Sequence, residues 1–172
     1  MLADDILRVF SQEKVRVKIQ KGLPRLFQIA EIECSRAGKI GMEVGSVREQ
    51  ILIAMLLNVF DSSNVEAEIP ITEPEIDVRV FGCPISIKTS SSRYLSSIKL
   101  IWTVDPQKAQ EFRDNYEPFC DLLFVHVTWD NDIGGLYYIP VAVQQVILGQ
   151  IGKTVKGGVK MYRHSGVKVY HL

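Results

Sequence analysis

Two short runs that alternate apolar and polar residues, Ile76–Val80 and Ile85–Thr89, flank the tetrad Phe81-Gly82-Cys83-Pro84. Alternation is the period of a strand buried on one face, and Gly and Pro within the tetrad supply turn chemistry, so the stretch predicts a β-hairpin. Side chains of a strand point alternately to opposite faces. Ile76, Val78 and Val80 therefore share one side, with Glu75, Asp77 and Arg79 on the other. On the returning run Ile85 and Ile87 oppose Ser86 and Lys88. Burying both apolar sets in one core gathers Glu75, Asp77, Ser86 and Lys88 on the opposite, accessible face.

Carboxylates beside a lysine suit phosphodiester chemistry. Mg²⁺ takes hard oxygen ligands and keeps several waters, so one or two carboxylates and a substrate phosphate oxygen suffice to hold it. The ion lowers the pKa of a bound water, and a neighbouring lysine orients that water and stabilises developing charge. The same residues also read as a surface hairpin whose charges are solvated or paired across the strands.

The run Pro74–Thr89 resembles the active-site hairpin of the PD-(D/E)XK nuclease superfamily, the type II restriction endonucleases in particular. Their pattern is an Asp, often after Pro, then a β-turn, then acid-X-Lys on the next strand. The resemblance implies that Asp77 is the first carboxylate and a metal ligand, and that Lys88 orients or activates the water. Ser86 stands where the second acid normally stands. Some restriction enzymes of the superfamily keep Ser-X-Lys with the acid moved elsewhere, so the departure leaves the second metal ligand open between Glu75 and a glutamate of the preceding helix. The resemblance further implies Mg²⁺ as cofactor, with Mn²⁺ as a substitute, and double-stranded DNA as partner. Cutting both strands of a symmetric, palindromic site needs two active centres, which implies a homodimer.

The preceding helix is predicted over Val47–Phe60, with Ser46 as N-cap and Glu49 closing a capping box. It is nearly all apolar from Ile51 to Val59, hence buried on most sides. Glu49 has two readings: the structural box, or the helix glutamate that the superfamily brings to its metal. Glu43 is a weaker candidate for the second.

Upstream, residues 3–12 read as a short amphipathic helix. Glu13–Lys21 alternates Val15, Val17 and Ile19 with basic residues, either an exposed strand or an arm against DNA. A second helix is expected from Pro24 to about Arg36, with Leu26, Phe27, Ile29, Ala30 and Ile32 packed inward. Gly38–Gly45 breaks the chain. Val65–Ile71 reads as a strand leading to the hairpin.

Downstream, Thr89–Ser97 is hydroxyl-rich, and Ser90, Ser91, Ser92, Arg93 and Tyr94 are candidate DNA contacts, or a plain connection. Ile98–Val104 reads as a strand, and Asp105-Pro106 opens a helix to about Tyr116. Leu122–Trp129 reads as a central strand in which His126 is a satisfied sheet residue, Leu136–Ile139 returns antiparallel, and Pro140 opens a helix over Val141–Leu148. Val159–Arg163 and Val167–His171 make a plausible terminal hairpin. Gly152-Lys153-Thr154 lacks the spacing of a phosphate-cradling loop.

The 172 residues carry 20 acidic and 20 basic side chains, a formal net charge of zero. All the acids lie in positions 1–132, whereas 133–172 carries only Lys153, Lys156, Lys160, Arg163 and Lys168. So basic a tail fits a phosphate backbone, or it neutralises the acidic body beside it. Cys34, Cys83 and Cys120 fit neither a zinc pattern nor a disulfide framework, which points to reduced thiols and a cytoplasmic protein. No apolar run is long enough to span a membrane, and the N-terminus does not read as a signal peptide.

The expectation is an α/β fold with a restriction-endonuclease-like mixed central sheet flanked by helices. It forms one endonuclease domain over 1–172, with a core at about 45–140 and a DNA-contacting basic segment at 150–172. The expected activity is Mg²⁺-dependent hydrolysis of double-stranded DNA at a specific short sequence. The alternatives are a structure-specific or repair nuclease of the same superfamily, a catalytically inactive DNA-binding module, or an α/β domain with no nucleic-acid role.

Overall fold

The computed structural model describes residues 2–39, 41–73, 75–91, 98–100, 105–129, 134–151, 158–159 and 167–170. Three helices come first, α1 (Leu2–Phe10), α2 (Glu13–Arg36) and α3 (Met42–Phe60). A 3-10 turn at Ser62–Asn64 leads into β1 (Val65–Glu66), β2 (Val78–Val80), β3 (Cys83–Ser90) and β4 (Ile98–Lys99). Then follow α4 (Pro106–Asn115), β5 (Asp121–His126), β6 (Gly135–Ile139), α5 (Val141–Ile151), β7 (Gly158–Val159) and β8 (Val167–Tyr170).

Six strands form one mixed sheet in the order β1-β2-β3-β5-β6-β8. Only β3 and β5 run parallel, with Ser86 opposite Leu122 and Lys88 opposite Phe124; the other pairs are antiparallel. All six residues of β5 are buried, as the expected central strand requires. Its alternate residues feed two cores. Leu123 and Val125 join Ile85, Ile87 and the faces of α1–α3. Leu122 and Phe124 join Ile98, Tyr137, Ile139 and Val143 on the other side. His126 is fully buried with its ring stacked over Phe124, consistent with a sheet histidine.

Several expectations are corrected. Glu13–Lys21 is neither a strand nor an arm but the start of the 24-residue α2. Ile19, Leu23, Phe27, Ala30 and Cys34 recur at helical spacing and are buried along it, and this stripe outweighs the local two-residue alternation. Pro24 lies inside that helix rather than at its start, where it costs a backbone donor that tertiary packing has to offset. Of the five side chains expected inward, Phe27 and Ala30 are buried, but Leu26, Ile29 and Ile32 are 47%, 49% and 45% exposed.

Helix α3 begins at Met42, capped by Gly41 at φ +69°, a conformation suited to glycine. Ser46 and Glu49 therefore lie inside the helix, and the capping box does not form. The strand expected over Val65–Ile71 is only two residues long. Of the expected terminal hairpin, residues 160–166 and 171 lie outside the described residues; among the described ones β7 pairs with β4, and β8 pairs with β6.

The β2–β3 hairpin closes through two residues, Phe81 at φ +52° and Gly82 at φ +77°. Two positive φ values are what a tight hairpin turn needs to match the strand twist. Phe81, which lacks the freedom of glycine, packs edge-on against Phe60 at the end of α3, with ring centroids 5.8 Å apart.

Leu52 lies three residues after Glu49 and is fully buried in the core between α3 and the sheet. We expect Leu52→Ala to lower the free energy of unfolding by about 2–5 kcal/mol, measured by chemical denaturation.

Candidate active site

The β2–β3 ladder runs out at the pair Val78 and Ile85, followed by the Asp77 N–H donating to the Ile85 carbonyl at 3.0 Å. Two residues along β3, the Ile87 N–H finds the Asp77 side chain instead and donates to Oδ2 at 2.5 Å. The Ser86 hydroxyl donates to the same oxygen at 3.2 Å, and the Lys88 ammonium lies 3.8 Å from it. Donors to a carboxylate are stronger than neutral pairs, so Asp77 is held in one orientation by the strand itself. The Asp77 side chain is 15% exposed and that of Lys88 26%, enough for a ligand to reach both.

Glu49 approaches from α3. Burial raises its pKa most, the Asp77 carboxylate raises it further, and the Lys88 ammonium pulls it down. Glu75 is also raised by burial, against the pull of Lys88. Ser86 and Lys88 thus lie against Asp77, Glu75 lies near Lys88, and Glu49 joins them as the helix glutamate. Glu43 is exposed on the first turn of α3.

Beside Lys88 is a pocket of about 40 Å³ lined by Glu75, Ser86, Lys88, Leu100, Tyr116, Cys120 and Leu122, room for more than one water. Tyr116 and Cys120 were not singled out in the sequence. Parallel pairing is the signal that reveals them: β5 starts beside the start of β3, so the residues just before β5 fall next to the hairpin. Burial, then Glu75, pushes the Cys120 thiol up to about 11, and burial, then Cys120 and Glu75, raises the Tyr116 hydroxyl. Both stay protonated at neutral pH.

At the start of β5 the Asp121 carboxylate accepts from the Val141 N–H at 2.8 Å, from Cys83 Sγ at 3.2 Å and from the Tyr138 hydroxyl. At the far end of β3, Arg48 donates to Ser91 Oγ at 2.9 Å and pairs with Glu31 of α2. Ser90 is the last residue of β3, and its carbonyl accepts from the Val127 N–H at 2.9 Å. Ser92, Arg93, Tyr94, Lys153, Lys156, Lys160 and Arg163 lie outside the described residues.

Among the described residues, no three acidic, histidine or cysteine side chains form a ready-made cage for a metal ion. What converges is a pair of hard-oxygen donors, Asp77 and Glu49, with Glu75 alongside. That set fits an ion that completes its shell with water and phosphate oxygen, as Mg²⁺ does.

A mixed sheet with a carboxylate and a lysine at its hairpin, approached by a helix glutamate, has the make-up of a restriction-endonuclease-like nuclease. The family model of the restriction endonuclease ThaI matches residues 9–168. A solved structure described as a restriction endonuclease in complex with substrate DNA is 46% identical, with 94% of this chain and 82% of that one covered and a TM-score of 0.80. Among curated proteins, none matches. The chain belongs to the ThaI restriction endonuclease family. Its function is that of a type II restriction endonuclease, and the family implies a divalent metal. No helix among the described residues is long and apolar enough to cross a membrane.

The raised pKa of Glu49 has a sign. Its stabilising effect is full while the carboxyl is protonated, below the ordinary carboxylate pKa, and is lost as pH rises through the raised folded value. Glu49→Gln should therefore raise the melting temperature of the metal-free protein at neutral pH, with the gain vanishing at acid pH. Equal melting of both proteins across that range would contradict the burial of this charge.

Proposed function

We propose that this enzyme cuts double-stranded DNA at a short palindromic sequence by Mg²⁺-dependent hydrolysis, with Asp77, Glu49 and Lys88 at its centre. The observation that supports it is the Asp77 carboxylate, fixed by the Ile87 N–H and facing Lys88 at 3.8 Å. Asp77 and Glu49 would hold the metal, with Glu75 as a further carboxylate beside the water pocket. A Mg²⁺ ion bound there would supply positive charge against the scissile phosphate and would lower the pKa of water.

The chain's own side chains do the positioning. Lys88 donates to the attacking water and to the phosphate oxygens as negative charge develops. Ser86 does not replace the missing acid as a ligand: its hydroxyl aims Asp77. The pocket lined by Tyr116, Cys120 and Leu122 confines the water beside Lys88. Substrate contacts fall to the segment from Ser90 to Tyr94 and to the basic residues Lys153, Lys156, Lys160 and Arg163. The whole chain acts as one endonuclease domain in the cytoplasm. Two copies related by a two-fold axis match the symmetry of the palindrome.

Incubation with plasmid DNA tests this reading. Discrete fragments should form with Mg²⁺ or Mn²⁺ and none with EDTA. Asp77→Ala and Lys88→Ala should each cut at least about a hundredfold more slowly while melting cooperatively. Ser86→Ala should lose only about tenfold, because the Ile87 N–H still holds Asp77. Cutting at the wild-type rate by the Asp77 or Lys88 variant would remove that residue from the centre.

A further inference from the structure

Among the described residues seven large apolar side chains are exposed, and three of them, Leu26, Ile29 and Ile32, lie on α2. Their spacing of three residues puts them along one stripe of the helix. Single exposed apolar residues need no explanation, but a contiguous row marks a contact surface. The row runs into a groove of about 410 Å³ between α2 and α3, lined by Ile19, Leu23, Leu26, Ile51, Met55 and Val59 among others. Gly22 opens the groove further, with no atom within 4 Å of the place its side chain would occupy.

The charges beside the row favour one occupant. Arg25 precedes Ile29 by one helical turn, and Glu33 follows it by one turn, both exposed on the same side of α2. A two-fold axis through Ile29 lays α2 antiparallel on its own copy. Each residue before Ile29 then meets the one equally far after it, so Leu26 faces the partner's Ile32 and Arg25 faces the partner's Glu33. Apolar row and charge pair are both self-complementary under that single operation, which is the requirement of an isologous interface.

We propose that the outer face of α2 is the surface on which a second copy of this chain docks, antiparallel about a two-fold near Ile29, with Arg25 and Glu33 pairing across it. The inference rests on the dimeric reading above and adds the surface and register. The interface buries Leu26, Ile29 and Ile32 in both copies and sets the distance between the two Asp77–Lys88 centres. In the free chain Glu33 pairs with Arg36 at 2.8 Å on the exposed surface. That pair is weak enough for Arg25 of the other copy to compete.

Sedimentation equilibrium and plasmid cleavage test the proposal. The wild type should sediment at twice the chain mass. Ile29→Glu should sediment as a single chain, keep the wild-type circular dichroism spectrum because the site is exposed, and lose double-strand cleavage at least tenfold. Arg25→Glu and Glu33→Arg should each weaken the dimer, and the two together should restore it. A wild type that is monomeric while cleaving would refute the dimeric reading itself. A wild-type dimer that survives Ile29→Glu would refute this surface alone. Failure of the double charge reversal to restore a dimer broken by either single reversal would overturn the register.

Discussion

The site depends on one hydrogen bond, made where the hairpin ladder stops. A strand that outlasts its partner leaves an N–H without its ladder acceptor, and a buried unpaired donor is costly. Here the Asp77 side chain takes over from the missing strand and accepts the Ile87 N–H. The backbone gains an acceptor, and the carboxylate acquires an orientation that no flexible side chain would hold alone. Ser86, Lys88 and the pocket behind them then take their places from the pleat of β3. The geometry of the candidate site is therefore a by-product of ladder satisfaction, which makes it as rigid as the sheet.

Glu49, Glu75 and Asp77 crowd around a single ammonium group. Burial and the Asp77 carboxylate work against charge on Glu49 while Lys88 favours it, and a core that extends from Leu52 to Val125 holds the group together. Such tension is common at sites built for a cation, since the charge that repels in its absence is the charge that binds it. Serine at position 86 lightens the load. A third or fourth acid on the same face would add repulsion, whereas a hydroxyl supplies a hydrogen bond and no charge.

The hairpin was legible because its signals are local: two alternating runs, a turn, and a charge pattern on one face. The same held for α4, where Asp105 and Pro106 mark the start and the Asp105 carboxylate accepts from the N–H groups of Gln107 and Lys108. Misreadings arose where a local signal competed with a distant one. Val15, Val17 and Ile19 alternate like a strand, but the stripe that decides their state runs on to Cys34. Ser46 and Glu49 have the spacing of a capping box, yet Gly41 ends the loop earlier and leaves Glu49 to the site. The partners of β7 and β8 depend on pairings between segments far apart in sequence, which no short pattern encodes.

Helix α3 is fastened at two points to the strand it supports. Phe60 meets the hairpin turn through Phe81, and Arg48 grips Ser91 just past the end of β3. At 19 residues the helix is about 28 Å long, and the eight residues of β3 span about 26 Å. The two elements are thus similar in length. Adding or deleting one residue within either would turn Glu49 about 100° around the helix or move Lys88 to the opposite face of the sheet. Changes of length that spare the site therefore have to fall in the loops, outside the stretch that joins helix glutamate to hairpin lysine.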